Sequence, residues 1–82
     1  MKYSIEIEKA ALKFIAKQPP KEANRLMRAI QKLPDGETIK MSGKYDLYRL
    51  RVGSYRVVYS IIDNELIIRV VEVGNRGDVY KK

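Results

Sequence analysis

Gly53-Ser54 lies between two runs of alternating side chains, and this constrains the fold more than any other feature of the chain. Tyr48-Arg49-Leu50-Arg51-Val52 precedes the pair and Tyr55-Arg56-Val57-Val58-Tyr59 follows it. Side chains two apart share one face of a strand, so both runs read as strands with an apolar side. A two-residue link that begins with glycine closes such runs into a tight antiparallel hairpin. A third run, from Glu65 to Val73, follows the turn-forming Asp63-Asn64. Strands over Tyr45–Val52, Tyr55–Ile62 and Glu65–Val73 then make a three-stranded meander.

The apolar face of that meander needs a cover, and the N-terminal half supplies one. Tyr3-Ser4-Ile5-Glu6-Ile7-Glu8 alternates with period two and predicts a further strand, placed at an edge or in the centre of the sheet. From Lys9 the period lengthens. Leu12, Ile15 and Ala16, flanked by Ala11 and Phe14, form an apolar helical stripe with Lys9, Lys13 and Lys17 largely outside it. Pro19-Pro20 ends this helix, and Pro20 suits the first turn of the next. Ala23, Leu26, Met27, Ile30 and Leu33 give the second helix its apolar side, and Pro34-Asp35-Gly36 stops it. The expected fold is α+β: an N-terminal strand and an αα-hairpin packed on a mainly antiparallel four-stranded sheet, both helices on one face. A chain of 82 residues has room for one such domain, over 1–82.

The opposite face of the sheet carries charge. Arg49 and Arg51 point away from Tyr48, Leu50 and Val52, and Arg56 on the next strand can join them. The stretch from Lys40 to Ser60 holds five cations and one acid, Asp46, in a chain of net charge +7. Like charges on neighbouring strands disfavour folding unless water or an anion screens them. Guanidinium forks grip phosphate oxygens in pairs. A solvated sheet face and a polyanion-binding face both fit this pattern. A second basic point lies in Val73-Gly74-Asn75-Arg76-Gly77-Asp78-Val79-Tyr80, where glycines flank Arg76 and Asp78 is its local partner. Tyr80 either pins the C-terminus by packing or offers a phenol for stacking, hydrogen bonding or proton acceptance.

The chain contains no cysteine and no histidine. Disulfides, thiolate catalysis, cysteine-ligated metals and imidazole-pair ribonuclease chemistry are thereby excluded. Gly-rich phosphate loops, HExxH, GxSxG and calcium loops are likewise missing, so neither a cofactor nor a metal is expected. Apolar runs fall far short of the roughly 20 residues that span a bilayer, and the cytoplasm is the simplest location. RNA brings its own nucleophile, the 2′-hydroxyl. A protein that cleaves it must align that oxygen with the phosphorus, stabilise charge on the phosphoryl oxygens and assist two proton transfers. Arginines serve the second need. Tyr80 is the best candidate base, with Arg56 or Arg76 as proton donor or charge clamp, and Lys44 and Tyr45 stand behind them at the start of the basic strand.

Tyr48-Arg49-Leu50-Arg51-Val52-Gly53-Ser54-Tyr55-Arg56-Val57-Val58-Tyr59, joined to Val73-Gly74-Asn75-Arg76-Gly77-Asp78-Val79-Tyr80, closely resembles the RelE/ParE superfamily of bacterial and archaeal type II toxins, the RelE branch being nearer. The resemblance runs the length of the chain. It implies a ribosome-dependent mRNA endoribonuclease acting in the ribosomal A site and leaving a 2′,3′-cyclic phosphate. The implied catalytic residues are Arg56, Arg76 and Tyr80, and the implied RNA contacts are Lys44, Arg49, Arg51 and Asn75. Arg49 and Arg51 stand where active relatives often carry lysine, and Asn75 where they often carry histidine. The implied partners are an acidic cognate antitoxin, mRNA and ribosomal RNA, with no membrane. Two other functions suit the same fold: a ParE-like inhibitor of DNA gyrase, and a non-catalytic RNA- or antitoxin-binding module.

Overall fold

The computed structural model describes residues 3–41 and 47–75. Its elements are β1 (Ser4–Ile7), α1 (Lys9–Ala16), α2 (Pro20–Gln31), β2 (Thr38–Lys40), β3 (Leu47–Val52), β4 (Tyr55–Ile62) and β5 (Ile67–Asn75). The strands form one sheet in the order β1-β5-β4-β3-β2. Every neighbouring pair is antiparallel except β1 with β5. The two helices carry the chain from β1 to β2 at the opposite edge, and the antiparallel run β2-β3-β4-β5 then returns across the sheet to lay β5 beside β1 in the same direction.

The architecture is the expected α+β fold with one strand more than predicted. Thr38-Ile39-Lys40 pairs with Tyr48 to Leu50 as a fifth strand. Three residues are too few to display a period, so only the partner strand reveals it. The N-terminal strand takes an edge. The last strand begins at Ile67 rather than Glu65, because Asp63–Glu65 form a 3-10 turn and Leu66 adopts a left-handed φ of 55°. The Leu66 carbonyl accepts a hydrogen bond from the Ser4 amide at 2.8 Å, which ties β1 to the start of β5.

Leu26, Ile30, Val57, Tyr59, Ile68 and Val70 form the fully buried centre between helices and sheet. The α2 stripe is the predicted one. On α1 it is rotated: Ala11 and Ile15 are buried, while Leu12 and Ala16 are exposed. Phe14 meets Tyr55 edge to face at 6.1 Å, and the Tyr55 hydroxyl donates to Gln18 Oε1 at 3.0 Å. These contacts join the end of α1 to the start of β4. Tyr48 and Tyr59, directly opposite each other, stack at 5.4 Å. Burial pushes the Tyr59 phenol above its ordinary value of 10.0, against a Thr38 hydrogen bond that lowers it and with a smaller push from Tyr48. Tyr59 is therefore a neutral core residue at physiological pH.

One irregularity positions the site. Val58 pairs with Glu72 and Tyr59 with Val70, so Val71 is an extra residue on β5. Such a bulge shifts the alternation by one. Ile68 and Val70 face the helices, and after the shift Val73 does too, while Glu72 and Gly74 turn to the other face.

Candidate nucleic-acid interface

The Gly53-Ser54 turn determines where the arginines lie. Gly53 has φ of 58° and no other residue of the turn has a positive φ, as a two-residue type II′ hairpin turn requires. The turn pins the register so that Val52 pairs with Tyr55 and Arg51 with Arg56. Arg49 pairs with Val58 and, on its other side, with Ile39. Two rows therefore cross the sheet on the face away from the helices. One runs Ile39, Arg49, Val58, Glu72; the next runs Arg51, Arg56, Gly74.

The three arginines predicted to share a face do share it, but that face is not uniformly solvated. Arg51 is exposed and Arg49 half-buried, whereas Arg56 is only 7% exposed and Val58 only 4%. Both lie on β4, the middle strand, where neighbours on each side restrict water. Gly74 completes the Arg56 row without a side chain. A Cβ placed there would meet no atom of the described residues within 4 Å, so among them room is left at this position. At the far end of the same face Arg69 is paired with Glu6 at 3.2 Å, both partly exposed. Arg49, Arg51 and Arg56 stand together at the hairpin end of the sheet.

The other predicted site residues are placed differently. Asn75 is exposed and pairs with Tyr55, a residue of the helix-side face, so its register position is not on the arginine face. Lys44, Arg76 and Tyr80 lie outside the described residues, as does Tyr45. The site described is accordingly Arg49, Arg51 and Arg56, with Glu72 as the nearby acid. Cations of α2 were not anticipated: Arg25, Arg28 and Lys32 line a groove that also reaches Arg51. Their spacing along one helical face was the available signal. Among the described residues no cluster of three metal-ligating side chains occurs, and no helix is long and apolar enough to cross a membrane.

Two helices on one side of a sheet and clustered arginines on the other define a small, basic α+β protein. The family model described as the ParE toxin of type II toxin-antitoxin systems matches residues 5–80. A RelE-like toxin protein of Escherichia coli is 36% identical over 87 residues, which cover 98% of this chain and 92% of that protein. The mRNA interferase toxin RelE of Escherichia coli K12 is 29% identical over 89 residues, covering 100% of this chain and 94% of that protein. The archaeal RelE–RelB complex from Pyrococcus horikoshii contains a chain that superposes with a TM-score of 0.79 at 29% identity, covering 94% of this chain and 98% of that one. The chain belongs to the RelE/ParE superfamily of type II toxins, and it is a RelE-like member.

Proposed function

We propose that residues 1–82 act as one toxin domain, a metal-independent endoribonuclease that cleaves mRNA on the ribosome in the cytoplasm. The observation that carries this reading is the direct pairing of Arg51 with Arg56, next to Arg49, with Arg56 almost withdrawn from water. A guanidinium in that setting acts on a phosphate more strongly than one in bulk solvent, because the local dielectric is lower. Relatives that bear the name mRNA interferase support the substrate class. In this mechanism the 2′-oxygen attacks the adjacent phosphorus and the bond to the 5′-oxygen breaks, giving a cyclic phosphate and a 5′-hydroxyl. Arg56 and Arg76 hold the phosphoryl oxygens, one of them giving a proton to the leaving 5′-oxygen, and Tyr80, in its ionised form beside the arginines, takes the 2′-proton. Lys44, Arg49, Arg51 and Asn75 hold the flanking RNA. An acidic antitoxin that covers the basic face would silence it, in keeping with the RelB complexes of the relatives.

The match to the ParE model favours a second reading, inhibition of DNA gyrase through the same surface. Translation reactions with purified protein, followed by mapping of mRNA ends, separate the two. Ribosome-stimulated cuts are expected with the wild type. Arg56→Ala should reduce them by about 10²-fold or more, the usual effect of removing one charge-stabilising group, with parallel losses for Arg76→Ala and Tyr80→Phe. Intact mRNA together with blocked DNA supercoiling would replace the nuclease reading with the gyrase one.

A further inference from the structure

We propose that the groove between α2 and the rim of β3 is a second RNA-binding site, which holds the phosphate backbone of the same strand that lies on the arginine face. The proposal rests on the RNA reading of that face and extends it around the edge of the molecule.

The groove has a volume of about 430 Å³ and is lined by Arg25 and Arg28 of α2, by Lys32 at its C-cap, by Arg51 of β3, and by Asp35 and Glu37 of the loop between α2 and β2. Four cations thus face two acids. Arg25, Arg28 and Lys32 are spaced three and four residues apart, so they rise along one side of the helix over about 10 Å. All three are exposed. Arg25 lies against the hairpin turn: a Cβ on Gly53 would stand 2.9 Å from its guanidinium. The glycine therefore serves both the turn and the close approach of the arginine.

Arg51 connects the two sites. It pairs with Arg56 on the arginine face and also lines the groove. The geometry of β2 makes this possible. Its ladder to β3 ends with Thr38 opposite Leu50, so Arg51 and Val52 project past the edge strand. One backbone bond, from the Arg51 amide to the Glu37 carbonyl at 3.0 Å, anchors the rim. A polyanion lying over Arg56 and leaving past Arg51 meets the α2 cations next. Single-stranded RNA fits that path because each phosphate is an acceptor for a guanidinium or ammonium, and its flexible backbone can turn the rim. The contacts read no base, so they add affinity and direction rather than sequence preference.

The test uses the full chain and fully 2′-O-methylated RNA, which cannot undergo 2′-hydroxyl attack, in a dinucleotide form and a twelve-nucleotide form. Binding is followed by fluorescence anisotropy over a range of salt concentrations. The longer RNA should bind more tightly than the dinucleotide. Arg28→Gln combined with Lys32→Gln should remove most of that gain and lower the slope of log affinity against log salt by about 1.4, the value expected when two phosphates of a single strand are no longer neutralised. Dinucleotide binding should stay as in the wild type, and the thermal midpoint should not fall. Asp35→Asn combined with Glu37→Gln should tighten the longer RNA. An unchanged slope in the α2 variant, or equal loss for both RNAs, would overturn the second site. So would a glutamate-rich peptide whose binding falls in the α2 variant while RNA binding does not, since that outcome assigns the groove to a protein partner. Because the RNA is uncleavable, the nuclease reading can fail in translation reactions while the groove result stands, and the reverse also holds.

Discussion

Opposite Arg56 the sheet carries no side chain, because Gly74 occupies the paired position. Arg51 occupies the position on the other side. A buried guanidinium thus has a like charge on one neighbour and a glycine on the other, and among the described residues the Gly74 position leaves room beside it for an anion. The sequence spacing of Arg49, Arg51 and Arg56 makes the shared face legible without a structure, since period two leaves no other placement once Leu50 and Val52 are buried. The burial of Arg56 was not legible, because exposure depends on the neighbouring strands and not on alternation. Filling the empty position tests the idea. Gly74→Glu places a carboxylate opposite Arg56 at a position where a Cβ meets no atom of the described residues within 4 Å. Removal of a strand glycine and formation of an opposite-charge pair should together raise stability by about 1 kcal/mol in urea denaturation. RNA affinity should fall at the same time. A variant that gains stability and still binds RNA as the wild type does would show that the space beside Arg56 is not where the phosphate goes.

At the scale of elements, β5 does the most to set the site. Without the extra residue at Val71, the alternation of Ile68 and Val70 would carry Glu72 into the core and Val73 out of it. The register shift between Val58 and Tyr59 reverses that. The run Val70-Val71-Glu72-Val73 contains the signal, two apolar residues in succession before the charge, but a single sequence does not say which of them is unpaired. The limits of β4, Tyr55–Ile62, were legible because turns bound it on both sides. The three residues of β2 were not, and the α1 stripe was misplaced by one residue because eight residues sample only two turns. Deletions distinguish a true bulge from ordinary strand. Removing Val71 leaves Val70 inward, Glu72 outward and Val73 inward, so the variant should fold with a loss of about 1 kcal/mol or less in a denaturant titration. Removing Val58 from β4, which has no extra residue to absorb the loss, inverts one end of that strand against the other and should abolish cooperative folding, as a one-residue slip moves every side chain to the wrong face. Equal sensitivity to the two deletions would contradict the pairing of Tyr59 with Val70.

For the whole molecule the controlling quantity is the net charge of +7 carried on a body whose longest extent is 35 Å. At about 0.01 M salt the screening length is about 30 Å, comparable with that extent, and the cations repel one another across the entire protein. At 0.15 M it shortens to about 8 Å, and only neighbours such as Arg51 and Arg56 still interact. Self-repulsion of this kind destabilises the compact state, whereas attraction to RNA weakens as salt rises. Stability and binding should therefore respond to salt with opposite signs. Between those two salt concentrations the thermal midpoint of the free protein should rise by several degrees, since 1 kcal/mol corresponds to about 4–8 °C for a domain of this size. Arg51→Thr, which removes one of the paired charges and keeps a strand-forming residue, should raise the midpoint most at low salt and flatten its salt dependence. The uncleavable twelve-nucleotide RNA should produce the same rise at low salt by screening the charges from outside, and the rise should vanish at high salt where the complex dissociates. A midpoint that falls with added salt would mean that the pairs formed by the ten acids, such as Glu6 with Arg69, outweigh the excess of cations. The basic face would then be no source of strain for an RNA ligand to relieve.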